Sequence, residues 1–469
     1  MKNHGMNPYL PSWEYVPDGE PHVFGKRVYI YGSHDRFAGY AFCQNDYVCW
    51  SAPVDDLTDW QYEGIIYTRA EAAHNEDGRQ CLYAPDVTCG PDGRYYLYYA
   101  LNETSAISVA VCDTPAGKYT YYGDVHYPDG TTLGARPGDE QQFDPGVLTE
   151  GETTWLYSGP PMMPGRTGAL CYRLASDMLT VEQTYPAVVP GAQTAKGTGF
   201  EGHAFFEASS IRKVGDKYYF IYSSELSHEL CYAVSDSPCR GFVYGGTLVD
   251  NADLGLCDTA RYFTGNNHGS IEQINGCWYV FYHRHTNSSM FCRQGMVEPI
   301  EILPDGRIPQ VEITTSGPNG APLPAVELRE LPAYAACNLY MTQPPQVNAE
   351  AGQNPFPYIT QDGADVMPES ESKPEAYICN LTPGTVVGFK YLNFQNVTKV
   401  SVKTRGMCYY GGFDVLLTAD GEPIGTVSAA RGNEWRWQTT ELAIPDGISA
   451  IYFRMKGYGT LSLAAAKFH

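Results

Sequence analysis

Along the first two-thirds of this chain a short strand core recurs five times. The copies are Gly25-Lys-Arg-Val-Tyr-Ile-Tyr, Gly93-Arg-Tyr-Tyr-Leu-Tyr-Tyr, Thr153-Thr-Trp-Leu-Tyr, Gly215-Asp-Lys-Tyr-Tyr-Phe-Ile-Tyr and Gly276-Cys-Trp-Tyr-Val-Phe-Tyr. With Tyr29, Tyr96, Trp155, Tyr219 and Tyr279 as markers, the steps are 67, 59, 64 and 60 residues. A repeat of this period means stacked supersecondary units that bury their faces against one another. Further strand patterns lie between the markers, at Tyr47–Ser51, Ile107–Cys112, Leu170–Leu174, Leu230–Val234 and Met290–Arg293. Each unit therefore holds about four short strands, the content of one propeller blade. Five blades fill residues 1–315. The Pro/Gly-rich stretch 316–335 reads as a connector. Strand patterns in 336–469, punctuated by Asp420-Gly and Asp446-Gly, predict a β-sandwich of jelly-roll type. The expected fold is all-β, a five-bladed propeller followed by a sandwich.

Upstream of each marker stands one ionisable residue: Asp18, Asp86, Asp144, Glu207 and His268, at 11, 10, 11, 12 and 11 residues. Acidic residues near strand starts are ordinarily turn formers. Five in phase call for another reason, and a propeller supplies one, because the first strand of every blade lines the central channel. Two carboxylates facing each other across a sugar are the minimum apparatus for glycoside hydrolysis. They divide the work only if their surroundings push their pKa values apart. A third carboxylate near the acid raises its pKa by repulsion. Asp18, Asp86 and Glu207 are the candidates for these roles.

Composition narrows the partners. The 37 Tyr and 18 Phe suit half-buried pleated surfaces. A net charge of -22 repels polyanions, which excludes nucleic acid and anionic membrane. No phosphate-binding loop points to an organic cofactor. The 14 cysteines contain no Cys-x-x-Cys pair, and several sit inside strand patterns as small hydrophobes. With no apolar region of signal-peptide type at the N-terminus, the expected location is the cytoplasm. Oligomeric state is not encoded in any of these features.

The motifs carry a resemblance. Asp18 with Tyr29-Ile-Tyr-Gly-Ser, Tyr83-Ala-Pro-Asp86-Val, Phe143-Asp144-Pro, Phe206-Glu207-Ala-Ser-Ser and Asn267-His268-Gly-Ser together resemble glycoside hydrolase family 43, with all five blade motifs in order. The resemblance implies an inverting enzyme acting on xylosides or arabinofuranosides, with a small oligosaccharide as its partner. It makes Asp18 the general base, Glu207 the general acid and Asp86 the residue that tunes and orients that acid. Asp144 receives no proton-transfer duty and reads as a substrate contact, as a group that hydrates an axial ion, or as a turn before Pro145. Arg293 occupies the place of an arginine that reaches the substrate and the acid. His34 and Asp35 read as pocket rim, and Trp50, Tyr83, Phe143 and Phe206 as aromatic platforms or core. His268 is implied to hold Ca2+ or Na+ on the propeller axis through waters.

Two motifs depart from the family pattern. Asp-Pro-Ser reads Asp18-Gly-Glu-Pro, and Trp-Ala-Pro-Asp begins with Tyr83. Glu201-Gly-His imitates another form of the acid motif but lies 18 residues before Tyr219, out of phase. Gly411-Gly-Phe-Asp-Val-Leu-Leu, Ile424-Gly-Thr-Val and Trp435-Arg-Trp-Gln resemble a family 6 carbohydrate-binding module, with Trp435 and Trp437 either packing or sugar-facing. Two alternatives stay open at this stage: a propeller glycosidase for galactosides or other hexosides, and a sugar-binding protein without turnover.

Overall fold

The computed structural model describes residues 5–159, 166–341 and 356–469. Four antiparallel four-stranded sheets follow one another at Glu20–Tyr67, Asp86–Asp124, Gly146–Pro190 and Phe205–Asp250, and a three-stranded sheet spans Ser270–Ile300. Each is a simple meander with its first strand innermost, which makes five blades. Central strands are apolar along nearly their whole length, as in Tyr95–Ala100, because both faces of a blade are covered by its neighbours. The three-stranded blade is closed from the other end of the chain. The Asn7 side chain donates to the Val297 carbonyl at 2.9 Å and accepts from the Val297 amide at 3.0 Å, as a paired strand would.

Strand register defines layers along the channel. The markers face His22, Thr88, Leu148, Arg212 and Glu272 on the inner strands. One step towards the strand starts, a second layer is formed by Glu20, Asp86, Gly146, Ser210 and Ser270, paired with Tyr31, Tyr98, Tyr157, Ile221 and Phe281. A further step reaches the mouth, with Asp18, Asp144, Glu207 and His268 at its centre. Blades crowd closely here. A Cβ at Gly146 would lie 2.4 Å from the Ser209 carbonyl oxygen of the next blade.

The C-terminal region folds as a ten-stranded sheet. Its two longest strands, Lys399–Leu416 and Gly447–Phe468, pair over most of their length. The sheet curls around Val402, Phe413, Phe453 and Leu463, so the layers expected of a sandwich belong to one continuous sheet. The stretch expected as a connector is structural: Leu323–Pro324 pairs with Leu392–Asn393, and Leu331–Pro332 with Ala465–Ala466. The core runs unbroken from Ile221 and Leu248 of the fourth blade into Leu323, Leu339 and Phe389. Buried Lys390 ties the two parts together through Asp253 at 2.8 Å and Glu312 at 3.0 Å.

Candidate active site

At the mouth of the channel lies a cavity of about 240 Å3, lined by Asp18, Asp144, Glu207, His268 and Arg293 together with Tyr83, Phe143 and Phe206. A larger groove of about 430 Å3 between residues 362–377 and Trp435 shares no lining residue with it and gathers no comparable set of acids. The smaller cavity is therefore the site, because of the two it is the one where ionisable groups from several blades converge.

Local backbone aims these groups. Asp18 and Asp144 have φ of 57° and 43°, a left-handed conformation that Asp tolerates better than most residues and that turns the chain sharply into each inner strand. Glu207 is delivered by a β-bulge, with Ala208 at φ 69° and the register shifting on either side. Bulges re-aim a side chain at the cost of one extra residue, which accounts for the offset of 12 where Asp18, Asp144 and His268 show 11.

The two outer carboxylates are treated in opposite ways. Burial alone would raise the Asp18 carboxyl, but Arg293, His283 and His268 together hold it well below the usual carboxylate range. Arg293 Nη1 donates to its Oδ1 at 2.8 Å, His283 Nδ1 lies 3.2 Å away, and the Ser33 hydroxyl donates to Oδ2. Glu207 is pushed up, first by burial and then by the negative charge of Asp18. Asp144 is also pushed up, by burial and then by Glu207 and Asp18. Repulsion between the two is mutual, so Asp144 and Glu207 share a tendency to keep one proton between them. The Ala208 amide donates to Asp144 Oδ2 at 3.2 Å, which opposes the rise at Asp144 without cancelling it.

The remaining expectations divide. Asp86 is not in the cavity. Its carboxylate lies one layer deeper, taking the Val147 and Val87 amides at 2.7 Å each and His22 Nε2 at 2.7 Å. Two single-residue differences add up here: Asp86 lies 10 rather than 11 residues before its marker, and its hairpin is one residue longer. Tyr96 faces Thr88, eight positions away, whereas the other four markers face residues seven positions away. Together the two differences move Asp86 into register with Glu20, and Ala84 takes the mouth position. The tuning role assigned to Asp86 is thus corrected by position: Asp144 is the third carboxylate beside Glu207.

Trp50 is core rather than platform, packed between Trp13 and Tyr62 with its Nε1 donating to Glu14 at 3.0 Å. His34 is buried away from the rim, bridging Glu14 at 2.9 Å and the Asp46 carbonyl at 2.8 Å. Asp35 lies behind the wall, where it grips Arg293 through both oxygens, at 2.8 and 2.9 Å. Such a fork fixes the guanidinium in orientation. Arg293 so held reaches the base, Asp18. Tyr83 and Phe143 stand edge to face, 5.4 Å apart, on one wall. Glu201 is exposed and caps its own loop through Gly199. Ser33 and His283 were not anticipated; their signal was position, since each lies four residues beyond its marker, opposite the mouth layer. The C-terminal domain also contributes: Asp365, in the loop between strands Tyr358–Thr360 and Tyr377–Leu381, accepts from the Phe37 amide at 2.8 Å and from Asn45 at 3.1 Å, bracing the loop that carries Phe42 and Cys43 into the cavity.

His268 is pushed down to about 4, mainly by burial, and so is neutral. Its Nδ1 lies 3.7 Å from Asp144 and 3.8 Å from Asp18. Calcium takes six to eight oxygens. Among the described residues no set of three metal-ligating side chains closes on His268. Asp144 and Asp18 are the nearest acids, and Asp18 is already engaged by Arg293, His283 and Ser33. The side chains alone do not complete a calcium shell at His268, so an ion held there would take most of its ligands from water.

A propeller whose mouth holds one carboxyl kept below and another pushed above its ordinary range on a single small cavity has the apparatus of a glycoside hydrolase. The chain belongs to the glycosyl hydrolases family 43, which it matches over residues 14–308. It is 54% identical over 473 residues to a xylosidase/arabinosidase of Thermoclostridium stercorarium, covering 99% of this chain and 98% of that one. Among solved structures, a family 43 arabinoxylan arabinofuranohydrolase from Bacillus subtilis, in complex with cellotetraose, has a TM-score of 0.53 at 21% identity, over 99% of this chain and 97% of that one. A β-xylosidase/α-arabinofuranosidase from a compost microbial metagenome, solved with xylotriose in a calcium-free form, has 0.52 at 24%, over 66% and 98%. At these identities the two structures share the fold.

Proposed function

We propose that this chain is a xylosidase/arabinosidase that removes single pentose units from small oligosaccharides with inversion of configuration. The observation that carries the reading is the opposite treatment of Asp18 and Glu207 on one cavity. Asp18, kept ionised by Arg293, draws a proton from the attacking water. Glu207, kept protonated by burial and repulsion, gives its proton to the departing glycosidic oxygen. Asp144 holds Glu207 in that state and takes no proton from substrate. His268, neutral and facing the cavity, serves as a hydrogen-bond partner for sugar hydroxyls. The small cavity suits one sugar ring, which supports action from a chain end, and the pentose assignment rests on the full-length likeness to the Thermoclostridium stercorarium enzyme. The C-terminal domain acts as a module of family 6 type that braces the pocket through Asp365. All fourteen thiols are free, in keeping with a reducing compartment such as the cytoplasm.

The pH profile tests this division of labour. Removing the charge beside Glu207 lowers its pKa, and a general acid is lost as pH rises through that value. Asp144→Asn should therefore move the alkaline limb of kcat/KM to lower pH by about one unit. Asp86→Asn, one layer away, should leave the limb where it is. A limb that moves in Asp86→Asn and not in Asp144→Asn would reverse the assignment.

A further inference from the structure

Beneath the catalytic layer the channel holds a buried charge cluster that hydrolysis does not use. Glu20 and His22 come from the first blade, Asp86 from the second, Ser210 and Arg212 from the fourth and Glu272 from the fifth. Arg212 starts on the fourth blade and reaches past the fifth to the first. Its Nη2 donates to Glu20 Oε2 at 2.9 Å and to the Pro21 carbonyl at 2.9 Å, and its Nε to Glu272 at 3.2 Å. To make those contacts its side chain must cross the channel. Ser210 joins it by donating to Glu20 at 3.1 Å, and Ser210 pairs with Ser270 at 2.7 Å.

We infer that Arg212 supplies from the chain itself the axial positive charge that a metal ion would otherwise provide, so that neither fold nor activity depends on a bound divalent cation. Ligand atoms of Glu20, His22 and Asp86 lie close enough together to look like a metal triad. What draws a cation there is negative charge, and a guanidinium that stays protonated under all ordinary conditions already offsets part of it from within the cluster. A second cation would be placed beside the first. His22 is pushed down to about 3, by burial and then by Arg212, so it adds no charge of its own. Burial pushes Glu20 and Asp86 up, the charge of Asp86 adds to the rise at Glu20, and Arg212 opposes it at both. Glu20 Oε1 has no hydrogen-bond partner among the described residues, and it is the atom that an ion would take if Arg212 were removed.

The test is the metal content and metal response of the full-length protein. After dialysis against EDTA, elemental analysis should find no stoichiometric calcium. Calcium at about 1 mM should then leave the thermal midpoint and kcat/KM unchanged, since an ion that bound the native state would stabilise it. Arg212→Lys, which keeps the charge, should behave likewise. Arg212→Met removes the charge and opens the triad, and its thermal midpoint should rise with added calcium. One calcium per chain in the untreated wild type, or a midpoint that falls with EDTA and recovers with calcium, would overturn the inference without touching the roles of Asp18 and Glu207. If Arg212→Met does not fold, the wild-type and Arg212→Lys measurements still decide it.

Discussion

Asp18→Asn should lower kcat about 10^3- to 10^4-fold, on every substrate to a similar degree, with KM little changed. This is the upper range for one positioned proton transfer, equivalent to about 4–5 kcal/mol of barrier. Uniformity follows from the role: water attack is required whatever group departs. The change preserves shape and leaves Arg293 its two bonds to Asp35, so the buried guanidinium is not stranded and the thermal midpoint should stay near that of the wild type. The same electrostatics set the acid limb. Since Arg293, His283 and His268 outweigh burial and hold Asp18 below the usual range, the base remains ionised and activity should persist into acid, failing only where Asp18 protonates. Steady-state kinetics of the purified variant decide the matter; wild-type turnover in Asp18→Asn would remove the base from the mechanism.

Glu207→Gln should show the opposite pattern, a loss graded by leaving group. An oxygen leaving from a xylo-oligosaccharide is strongly basic and needs a proton, so kcat there should fall about 10^3-fold, within the range for general acid catalysis. A dinitrophenolate departs without help, and its release should be slowed far less. Across a series of aryl xylosides, kcat should depend much more steeply on the acidity of the phenol in the variant than in the wild type. The alkaline limb should also vanish, because the group whose deprotonation produces it is gone. Equal losses over the whole series would mean that Glu207 does something other than donate a proton.

How far these roles could be read from sequence depended on counting along strands. The five-fold beat of Tyr29, Tyr96, Trp155, Tyr219 and Tyr279 comes from pleated pairing repeated blade after blade, so it survives in the residues themselves, and with it the propeller. Asp18, Asp144, Glu207 and His268 were legible for the same reason. Asp86 misled because residue counting cannot distinguish a longer hairpin from a shifted site: its offset of 10 and one extra hairpin residue together displaced it by a two-residue layer. Glu207 carried the same kind of extra residue, yet there it is absorbed in a bulge next to the side chain and the carboxylate stays at the mouth. Trp50 and His34 failed on another ground. Their surroundings are made by Glu14, a buried acid with no pattern around it, which collects the Trp50 indole, the His34 imidazole and the Tyr15 amide. Arg212 was invisible as a channel residue, since nothing in Ser210-Ile-Arg-Lys indicates that the guanidinium would span three blades. The curl of the C-terminal sheet likewise depends on two strands of 18 and 22 residues bending together, where sequence showed only shorter apolar runs.

The most direct test of the account is the anomer first released. With an unbranched β-linked xylo-oligosaccharide followed by proton NMR from the first turnovers, attack by a water held at Asp18 on the face opposite the leaving group should give α-xylose, which then mutarotates. Initial release of β-xylose would require a covalent intermediate on one of the carboxylates and would contradict the one-step mechanism across Asp18 and Glu207.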